Sequence, residues 1–402
     1  MASSSLLTIN QITNEALRLF VQTNAFLRTV SKQYDDQFAR SGAKIGNTLR
    51  IRLPNDYTVS TGKAVTPQGT SEQNTSLTVA TQKNVAVAFG TAEKTMSLDD
   101  YSSRILAPAV NRLAASVAAD LMTVADSACN FVANFDGTGA IQTPTADTWL
   151  QAGAALDLNL APRMDRLAVL DARTQARTVS SLAGLFNPQV KISDQYESGL
   201  MAKDTLGFDW MYDQTSVLHT NGTFSAGGAL SSGGQTGTTI TVSAITGTLN
   251  KGDIITIDGV NAINRLTGAD QGELRQFVVT ANVSNGGTSI SIYPGIVAAP
   301  AAFNTVTAAP INGAQVRLVG IAGATFRKNL TYYPEAFTLA TADLEMPTAG
   351  VVEAARAEYD GVSMRMITAY DITNDDLITR LDLLYGYAAL RPEWAAIVAD
   401  KV

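Results

Sequence analysis

Few residues in this chain have side chains suited to catalysis. It has one histidine, His219, and one cysteine, Cys129. A Ser-His-Asp triad needs the histidine beside a nucleophile, and the sequence contains no G-x-S-x-G turn that would present one. Zinc sites of the Cys/His kind are excluded, because one residue of each type cannot supply the four ligands. The sequence therefore predicts no catalytic residue and no metal site, and the chain is not expected to be an enzyme.

Binding motifs for phosphates and cofactors are also missing from the sequence. The glycine-rich run Gly227–Gly237 has no lysine to pair with a phosphate, and Gly137-Thr138-Gly139 lacks the third glycine of a dinucleotide motif. Asp99–Asp100 and Asp375–Asp376 are better explained by a helix start and a turn than by a carboxylate pair. Lys251-Gly252-Asp253 resembles an adhesion tripeptide, but a turn that opens a strand is the simpler interpretation. No cofactor is predicted.

The composition is unusual in its low charge. Only 16% of the 402 residues are charged, well below the usual quarter, while 46% are hydrophobic. Such a surface suits a protein that is largely covered by other subunits, and a secreted β-rich protein could have a similar one. The net charge of −7 argues against an electrostatic nucleic-acid binder, which needs a basic face. No apolar run is long enough to span a membrane, and the first twenty residues do not resemble a secretory signal.

A long polar hairpin is predicted over Ile45–Thr91. Its first arm alternates, with Leu49 and Ile51 on one face and Arg50 and Arg52 on the other. The segment between the two arms is polar and rich in turn residues, and it contains Asp56 and Lys63. A polar tip of this length is typical of a functional loop.

One continuous helix is predicted over Ser97–Phe135, directly after the hairpin. At 1.5 Å per residue this helix would be ~57 Å long, against a radius of gyration of only ~21 Å for a compact chain of this size. Pro108 lies inside it and is predicted to kink it, since proline removes a backbone donor. Elements that extend this far are typical of proteins that hold on to their neighbours.

The N-terminal segment predicts an amphipathic helix over residues 9–38, whose apolar stripe includes Phe20 and Leu27. Two alternatives are open for this stripe: it packs on the chain's own core, or it is an arm that packs on a neighbouring subunit.

The remainder of the chain has two characters. Helices are predicted over Thr145–Leu158 and Ala172–Leu185, with a strand over Arg166–Leu170 between them. From Gly222 to about Gly323 the sequence is rich in Gly, Thr, Ser, Val and Ile, and it predicts short strands separated by turns. These strands are Thr238–Val242, Asp253–Ile257, Gln276–Thr280 and Ser289–Tyr293. Their spacing fits a small β-barrel or sandwich, and mixed α/β patterning resumes after it, which predicts an insertion.

The order of these parts resembles the major capsid (coat) proteins of tailed bacteriophages, which share the Hong Kong 97-like fold. The chain is most similar to the short-tailed-phage branch, whose coat protein carries an inserted β-barrel. The segments that carry the resemblance are NTLRIRLP (47–54), VAVAFG (85–90), TADTW (145–149), GFDWMYDQTSVL (207–218), TVSAITGTLNKGDIITIDGV (241–260) and YGYAALRPEW (385–394). Together they cover most of the chain in the family's order.

The resemblance implies an α+β fold with an N-terminal arm, an extended hairpin loop, a long spine helix, peripheral and axial domains and an inserted small all-β barrel. The implied segments are the N-terminal arm (1–44), the extended hairpin loop (45–91), the spine helix with the first part of the peripheral domain (92–144), the first part of the axial domain (145–221), the inserted barrel (222–325) and the return through the axial and peripheral domains (326–402).

The implied function is self-assembly into the pentamers and hexamers of an icosahedral shell, inside the host cytoplasm, as the capsid of a virion. The implied partners are a scaffolding protein, a portal protein and packaged double-stranded DNA that is not bound by sequence; no membrane is involved. The candidate residues for contacts between subunits are Arg50, Arg52, Asp56, Lys63, Phe20 and Leu27.

Three other interpretations are open. Some relatives cross-link a hairpin lysine to an asparagine on a neighbour, and Lys63 is placed for such a bond, although a lysine in a polar tip is usually just solvated. The main rival function is a secreted or tail-associated β-rich adhesin with residues 222–325 as its binding module. An enzyme with an unrecognised site is the second rival.

Overall fold

The computed structural model describes residues 9–32, 48–52, 57, 67, 74–90, 107–182, 201, 204–215, 217–299, 303–347, 350–373 and 376–402. The α-helices are α1 (Ile9–Thr23), α2 (Ala25–Thr29), α3 (Ala107–Met122), α4 (Ala146–Leu158) and α5 (Ala172–Leu182), and short 3-10 helices span Thr123–Ser127, Pro334–Ala336 and Pro392–Trp394.

Strands make up much of the rest. They are β1 (Thr48–Arg52), β2 (Asn74–Thr78), β3 (Thr81–Gly90), β4 (Asn130–Phe135), β5 (Ile141–Gln142), β6 (Leu167–Leu170), β7 (Asp209–Tyr212), β8 (Leu218–Thr220), β9 (Gly237–Thr241), β10 (Ile254–Ile263), β11 (Asp270–Val279), β12 (Ser289–Ile296), β13 (Val316–Leu318), β14 (Thr325–Tyr332), β15 (Phe337–Ala342), β16 (Glu353–Tyr359), β17 (Val362–Asp371), β18 (Asp376–Ala389) and β19 (Ala395–Lys401). The fold is mixed α+β, as the sequence predicts.

The chain divides into two compact units. Unit 1 consists of Met1–Ile51, Asn74–Leu121 and Phe337–Leu390, and unit 2 consists of Arg52–Gln73, Met122–Ala336 and Arg391–Val402. Each unit draws on distant parts of the chain, so neither could form from one continuous segment.

Unit 1 is built on β18, a strand of 14 residues. Its antiparallel partners are β17, β15 and the hairpin's return strand β3, and β16 completes the sheet beside β17. The alternating pattern of β3 fits such a sheet, in which successive side chains point to opposite faces.

The N-terminal helices pack on this sheet of their own chain. Ala16, Leu17 and Phe20 of α1 are buried, and α1 lies against β16 and β17. The single helix predicted over residues 9–38 is wrong at Asn24, whose backbone is extended and whose side chain accepts hydrogen bonds from two following N–H groups to start α2. It is also wrong after Thr29, where α2 ends and Ser31 forms a β-bridge with Thr338. Residues 33–38 of that prediction lie outside the described residues.

The base of the hairpin is part of unit 1. Strands β1 and β2 pair, and Leu77 and Val79 form a small core with Ala340, against which Leu49 and Ile51 pack. The alternation predicted for the first arm is therefore confirmed. Residues 53–56, 58–66 and 68–73 of the hairpin lie outside the described part of the chain.

The continuous helix predicted over Ser97–Phe135 is wrong in its last third. Within the described residues the helix ends at Met122, a 3-10 turn follows, and Asn130–Phe135 is the strand β4. Ala128 and Phe131 continue the apolar spacing of the helix, but β4 pairs in parallel with β19 and the Asn130 amide donates to the main-chain oxygens of Glu393 and Ala395. Pairing with a buried strand has overridden the local helical pattern. The residues that follow Phe135, where the predicted helix was to end, form the turn from β4 into β5.

Unit 2 contains a sheet in the order β5-β4-β19-β14-β6-β7, with β8 also paired to β14. All six residues from Ala395 to Asp400 are completely buried, so β19 and its neighbour β14 form the buried centre. Helix α4 packs on β4 and β19 and is capped by Thr145 through a capping box, and its Trp149 ring contacts Trp210 at 4.9 Å. Helices α4 and α5 and strand β6 confirm the elements predicted for this region, except that residues 183–185 lie outside the described residues.

The β-rich segment also lies in unit 2. Strands β9 to β13 form a five-stranded sheet in the order β13-β10-β11-β12-β9, and each of the four strands predicted there overlaps one of them. Eighteen buried side chains between Phe224 and Val316 form one hydrophobic core within this segment. The segment therefore has a core of its own.

Gly386 of β18 provides a test of how the hairpin base is seated. A Cβ atom at this position would lie 2.1 Å from the main-chain oxygen of Thr78, because β2 crosses directly over the glycine. We expect Gly386→Ala to lower the free energy of unfolding by about 1–3 kcal/mol or more, since backbone atoms cannot yield as a flexible side chain can.

Thermal and denaturant unfolding measure this effect. Gly137→Ala is the matched control, because a Cβ there meets nothing within 4 Å. Equal unfolding midpoints for Gly386→Ala and the wild type would contradict the close crossing.

Candidate functional site

The exposed face of β1 is the first candidate for a functional surface. Leu49 and Ile51 are half-buried, whereas Arg50 and Arg52 are exposed on the opposite face. Two cationic side chains thus project from the strand that leads into the hairpin tip. Asp56 and Lys63, the other two hairpin candidates, lie outside the described residues.

The remaining predicted residues are placed differently. Phe20 is 0% and Leu27 1% exposed, and both belong to the core of unit 1. Their own chain therefore covers them, which supports the first of the two alternatives for the apolar stripe. Pro108 is the second residue of α3 as described; the kink stays a prediction, because residues 91–106 lie outside the described part.

A polar network joins α3 to the sheet of unit 1. The Lys83 ammonium lies 2.7 Å from an Asp120 carboxylate oxygen, and it also donates to the hydroxyl of Ser116 at 2.7 Å. The Tyr385 hydroxyl donates to the same Asp120 oxygen at 2.6 Å. One carboxylate of α3 is thereby held by β3 and by β18.

The ionisation of these groups follows from their contacts. Burial opposes the charged form of Asp120, but the hydrogen bonds from Lys83 and Tyr385 outweigh it, so the pKa of the carboxyl is lowered. Burial and the nearby carboxylate raise the pKa of the Tyr385 hydroxyl, which therefore stays a proton donor. The network is charged and fully formed at neutral pH.

A second carboxylate, Asp382, is completely buried in β18. Arg365 of β17 donates to one oxygen at 2.8 Å, and Arg380 and Gln82 donate to the other at 2.7 and 3.3 Å. Buried charges are tolerated only when they are paired in this way, so Asp382 fixes which side chains of β17 and β3 face it.

The β-rich segment is attached to the main sheet of unit 2 by buried polar contacts. Asp253, which is 0% exposed, accepts a hydrogen bond from the Gly222 N–H at 3.0 Å and from the Asn250 N–H at 2.7 Å, and it lies 2.8 Å from Nε2 of His219. Lys251-Gly252-Asp253 is therefore a turn at a junction. Its aspartate is used internally and is not displayed to a receptor.

Gly252 in this turn is enclosed by charged groups. Its φ is +92°, and a Cβ would lie 3.0 Å from the Lys328 ammonium and 3.2 Å from the His219 ring. Lys328 in turn is ion-paired with Asp126. The single histidine thus takes part in the packing of the junction.

Two further contacts fix the other side of the β-rich segment. Glu393 accepts from the Tyr293 hydroxyl at 3.0 Å and from Arg265 at 3.2 Å. Gln276 exchanges two hydrogen bonds with the backbone of Phe131, at 2.6 and 3.0 Å. The segment is therefore held by side chains of β11, of β12 and of the turn that follows β10.

These buried polar contacts can fix the positions of helices and strands, and they offer little for catalysis. Burial raises the pKa of the Cys129 thiol, which makes it a poor nucleophile. Within the described ranges, no group of three or more His, Cys, Asp or Glu side chains could hold a metal ion. In the same part of the chain, no helix combines the length and the apolar character that crossing a membrane requires.

Sequence reasoning missed the residues that hold the structure together. In the sequence these residues look like ordinary surface charges; they are Lys83, Asp120, Asp382, Asp253 and Glu393. Their partners lie up to 300 residues away, so no local spacing reveals them. The one signal for them in the sequence is the low fraction of charged residues, because each charged residue of such a chain is more informative about the structure than usual.

The Asp120 network predicts a pH-dependent contribution to stability. Because the folded pKa of Asp120 lies below its ordinary value of 3.8, the charged carboxylate stabilises the fold above that value, and this contribution is lost as the pH falls through the lowered pKa. We expect Asp120→Asn to lower the free energy of unfolding by about 1–2 kcal/mol at pH 7, and the difference from the wild type to shrink below about pH 4.

Urea unfolding of both proteins between pH 7 and pH 3 measures this difference. Asp165→Asn, at an exposed turn position, is the control and should leave stability unchanged. A difference that grows as the pH falls would show that the sign is wrong.

The contacts of Asp253 predict how much free energy holds the β-rich segment to the main sheet of unit 2. Asp253→Ala leaves two buried N–H groups and the His219 ring without their acceptor, so we expect unit 2 to lose about 3 kcal/mol or more. Asp253→Asn keeps an acceptor oxygen and should lose less. Hydrogen exchange of the amides of β9 to β13 and denaturant unfolding are the measurements.

Asp258→Ala is the matched control, because it breaks the exposed ion pair with Arg317 and should cost about 0–1 kcal/mol. Equal losses of unfolding free energy for Asp253→Ala and Asp258→Ala would contradict a special role of Asp253 at the junction.

Comparison with known proteins identifies chains with a similar fold. A search of curated protein sequences gives no match. Among solved structures, the capsid of Ralstonia phage GP4 aligns with a TM-score of 0.50 at 6% identity, covering 100% of this chain and 95% of the phage chain. A structure described as Mycobacterium phage Che8 aligns with a TM-score of 0.49 at 10% identity over 93% of this chain and 90% of the other. At such identities the GP4 likeness shows the fold alone, which is that of a phage capsid chain.

A protein-family model also matches this chain. The family described as P22 coat protein, gene protein 5, matches residues 1–398. This match covers nearly the whole chain, including both units and the β-rich segment. The chain therefore belongs to the P22 coat protein family: it is a tailed-phage major capsid protein, a structural component of the icosahedral shell of the virion and not an enzyme.

Proposed function

We propose that the chain builds the pentamers and hexamers of its shell by using the hairpin at residues 45–91 as a grip on an adjacent subunit. The observation that carries this proposal is the two-sided character of β1. Its apolar side chains pack on unit 1, whereas Arg50 and Arg52 project from the other face. An anchored strand with a cationic outer face can pair with a carboxylate on a neighbour without leaving its own core.

The finer architecture of the family belongs to the same proposal. Residues 92–144 would contain the spine helix, and α3 lies in this range. Residues 222–325 would be the inserted barrel, which is consistent with their separate hydrophobic core. The arm at 1–44 and the axial and peripheral parts at 145–221 and 326–402 complete the proposed division.

Other candidate residues have secondary roles in this proposal. Asp56 and Lys63 would add charged contacts at the hairpin tip, and cross-linking through Lys63 is a variation that the chain's branch of the family does not favour. Phe20 and Leu27 would face a neighbour only if the N-terminal arm left its own sheet. Pro108 would give the spine helix a fixed bend.

We also propose the partners that such a shell requires. A scaffolding protein would direct assembly, a portal would replace one vertex, and double-stranded DNA would fill the interior. The net charge of −7 supports a lining that does not bind DNA tightly. The alternative of a β-rich adhesin is not favoured, since the chain belongs to a coat protein family and Asp253 is buried.

Electron microscopy of the purified protein, expressed with a scaffolding protein, tests the proposal. We expect closed shells from the wild type. The double variant Arg50→Glu, Arg52→Glu should assemble at least about tenfold less, because each charge reversal replaces an attraction at every copy of the contact. Arg50→Glu alone should leave the unfolding midpoint at that of the wild type, since the Arg50 side chain is exposed.

Arg173→Glu, at an exposed position on α5, is the control and should assemble normally. If the wild type forms only a monomer or trimer, the assembly proposal fails. If the double variant assembles as the wild type does, the role of the β1 face is removed while the shell remains.

A further inference from the structure

The sheet of unit 1 has three outer edges, and two of them are protected. The edge of β15 is bridged by Ser31, whose main-chain oxygen accepts from the Leu339 N–H at 3.0 Å. The edge strand β16 carries Glu353, Arg356 and Glu358, and charged side chains on an edge discourage pairing with another chain.

The third edge, that of β3, lacks these protections. β3 is ten residues long and pairs with β18 in one unbroken register, from Thr81 opposite Tyr385 to Gly90 opposite Asp376. It contains no proline and no bulge. Among the described strands, none pairs with its other edge.

The single charge of β3 does not guard this edge. The Lys83 ammonium is bound to Asp120 and Ser116 of α3, so it is directed to the helix of its own chain. Asn84, Ala86 and Ala88, by contrast, are exposed. A long, regular, uncharged edge strand would be an aggregation hazard unless the assembled protein uses it.

We propose that the free edge of β3 pairs antiparallel with β3 of a second copy of this chain, across a two-fold axis of the shell. The inference rests on the shell assembly of this family and adds a contact to it. A pairing partner must itself have an unprotected edge, and within the described residues β3 has the one unprotected edge of the unit 1 sheet. Icosahedral symmetry supplies the two-fold axes that such an isologous contact needs.

The side chains of β3 are compatible with self-pairing. In an antiparallel pair, opposite residues lie about 4.5–5.5 Å apart between Cα atoms, so like charges face to face would be costly. The exposed residues Asn84, Ala86 and Ala88 are small and uncharged, and Lys83 is already neutralised by Asp120. The result is one sheet that continues from one subunit into the next.

Charge substitution at Ala86 tests the pairing. Ala86→Lys and Ala86→Glu each place like charges on both strands near the axis, so each variant alone should form at least about tenfold fewer shells. An equimolar mixture of the two should recover assembly, because lysine then faces glutamate. Ala119→Lys, at an exposed alanine on α3 of the same unit, is the matched control and should assemble normally.

Cysteine substitution tests the geometry separately. Asn84→Cys, Ala86→Cys and Ala88→Cys are oxidised in assembled shells, with the native Cys129 buried and out of reach. In an antiparallel pair around a two-fold axis, the cysteine at the position closest to the axis forms a disulfide with the same cysteine of the second copy. Cysteines at positions on either side of the axis form disulfides with each other only in shells that contain both variants. We expect a disulfide-linked dimer from one of the three variants and little from the others.

The outcomes separate this inference from the assembly it rests on. Failure of the wild type to form shells would overturn both. Wild-type shells with no dimer at any of the three positions, together with normal assembly of both Ala86 variants, would overturn the β3 contact alone. Cross-linking of β3 to a different segment would also overturn it. Unchanged unfolding midpoints of the unassembled variants show that the substitutions act on the contact and not on folding.

Discussion

The pairing of β18 with three other strands is the constraint on which unit 1 depends. This strand binds β17, β15 and β3, so it joins the end of the chain to the hairpin at its beginning. The same strand carries Asp382, Tyr385 and Gly386, which hold β17, α3 and the hairpin base respectively. Because these attachments are spaced along one strand, a slip in its register would reverse which faces its side chains occupy and would disturb all three.

Unit 2 uses the same principle with different chemistry. A buried pair of strands, β14 and β19, forms its centre, and the β-rich segment has a separate core. Asp253 and Glu393 then attach that segment to the main sheet through hydrogen bonds to buried partners. Buried polar contacts of this kind are costly when misaligned, so they fix a position more sharply than apolar packing does. A coat protein needs such fixed surfaces, because the same contacts must be repeated at every copy.

The sequence predicted much of the fold but little of the functional geometry. The alternation of β1, the helices α4 and α5 and the strands of the β-rich segment were all readable, because each follows a local periodicity. The continuous helix over 97–135 was not confirmed, since Ala128 and Phe131 fit a helical stripe as well as they fit a strand. Of the candidate contact residues, Arg50 and Arg52 are exposed, whereas Phe20 and Leu27 are covered by their own sheet.

The sequence by itself determined the class of the protein: low charge, a single histidine and a single cysteine exclude most enzymes, and the order of its segments resembles that of a phage coat protein. Only the tertiary structure decided where each apolar stripe is buried, where the helix ends and which charges are paired. The physical reason is range. Periodicity reflects interactions between residues a few positions apart, whereas Asp120, Asp382 and Asp253 have partners 265, 300 and 34 residues away in the chain. The free energy of those contacts exists only once the sheets have formed.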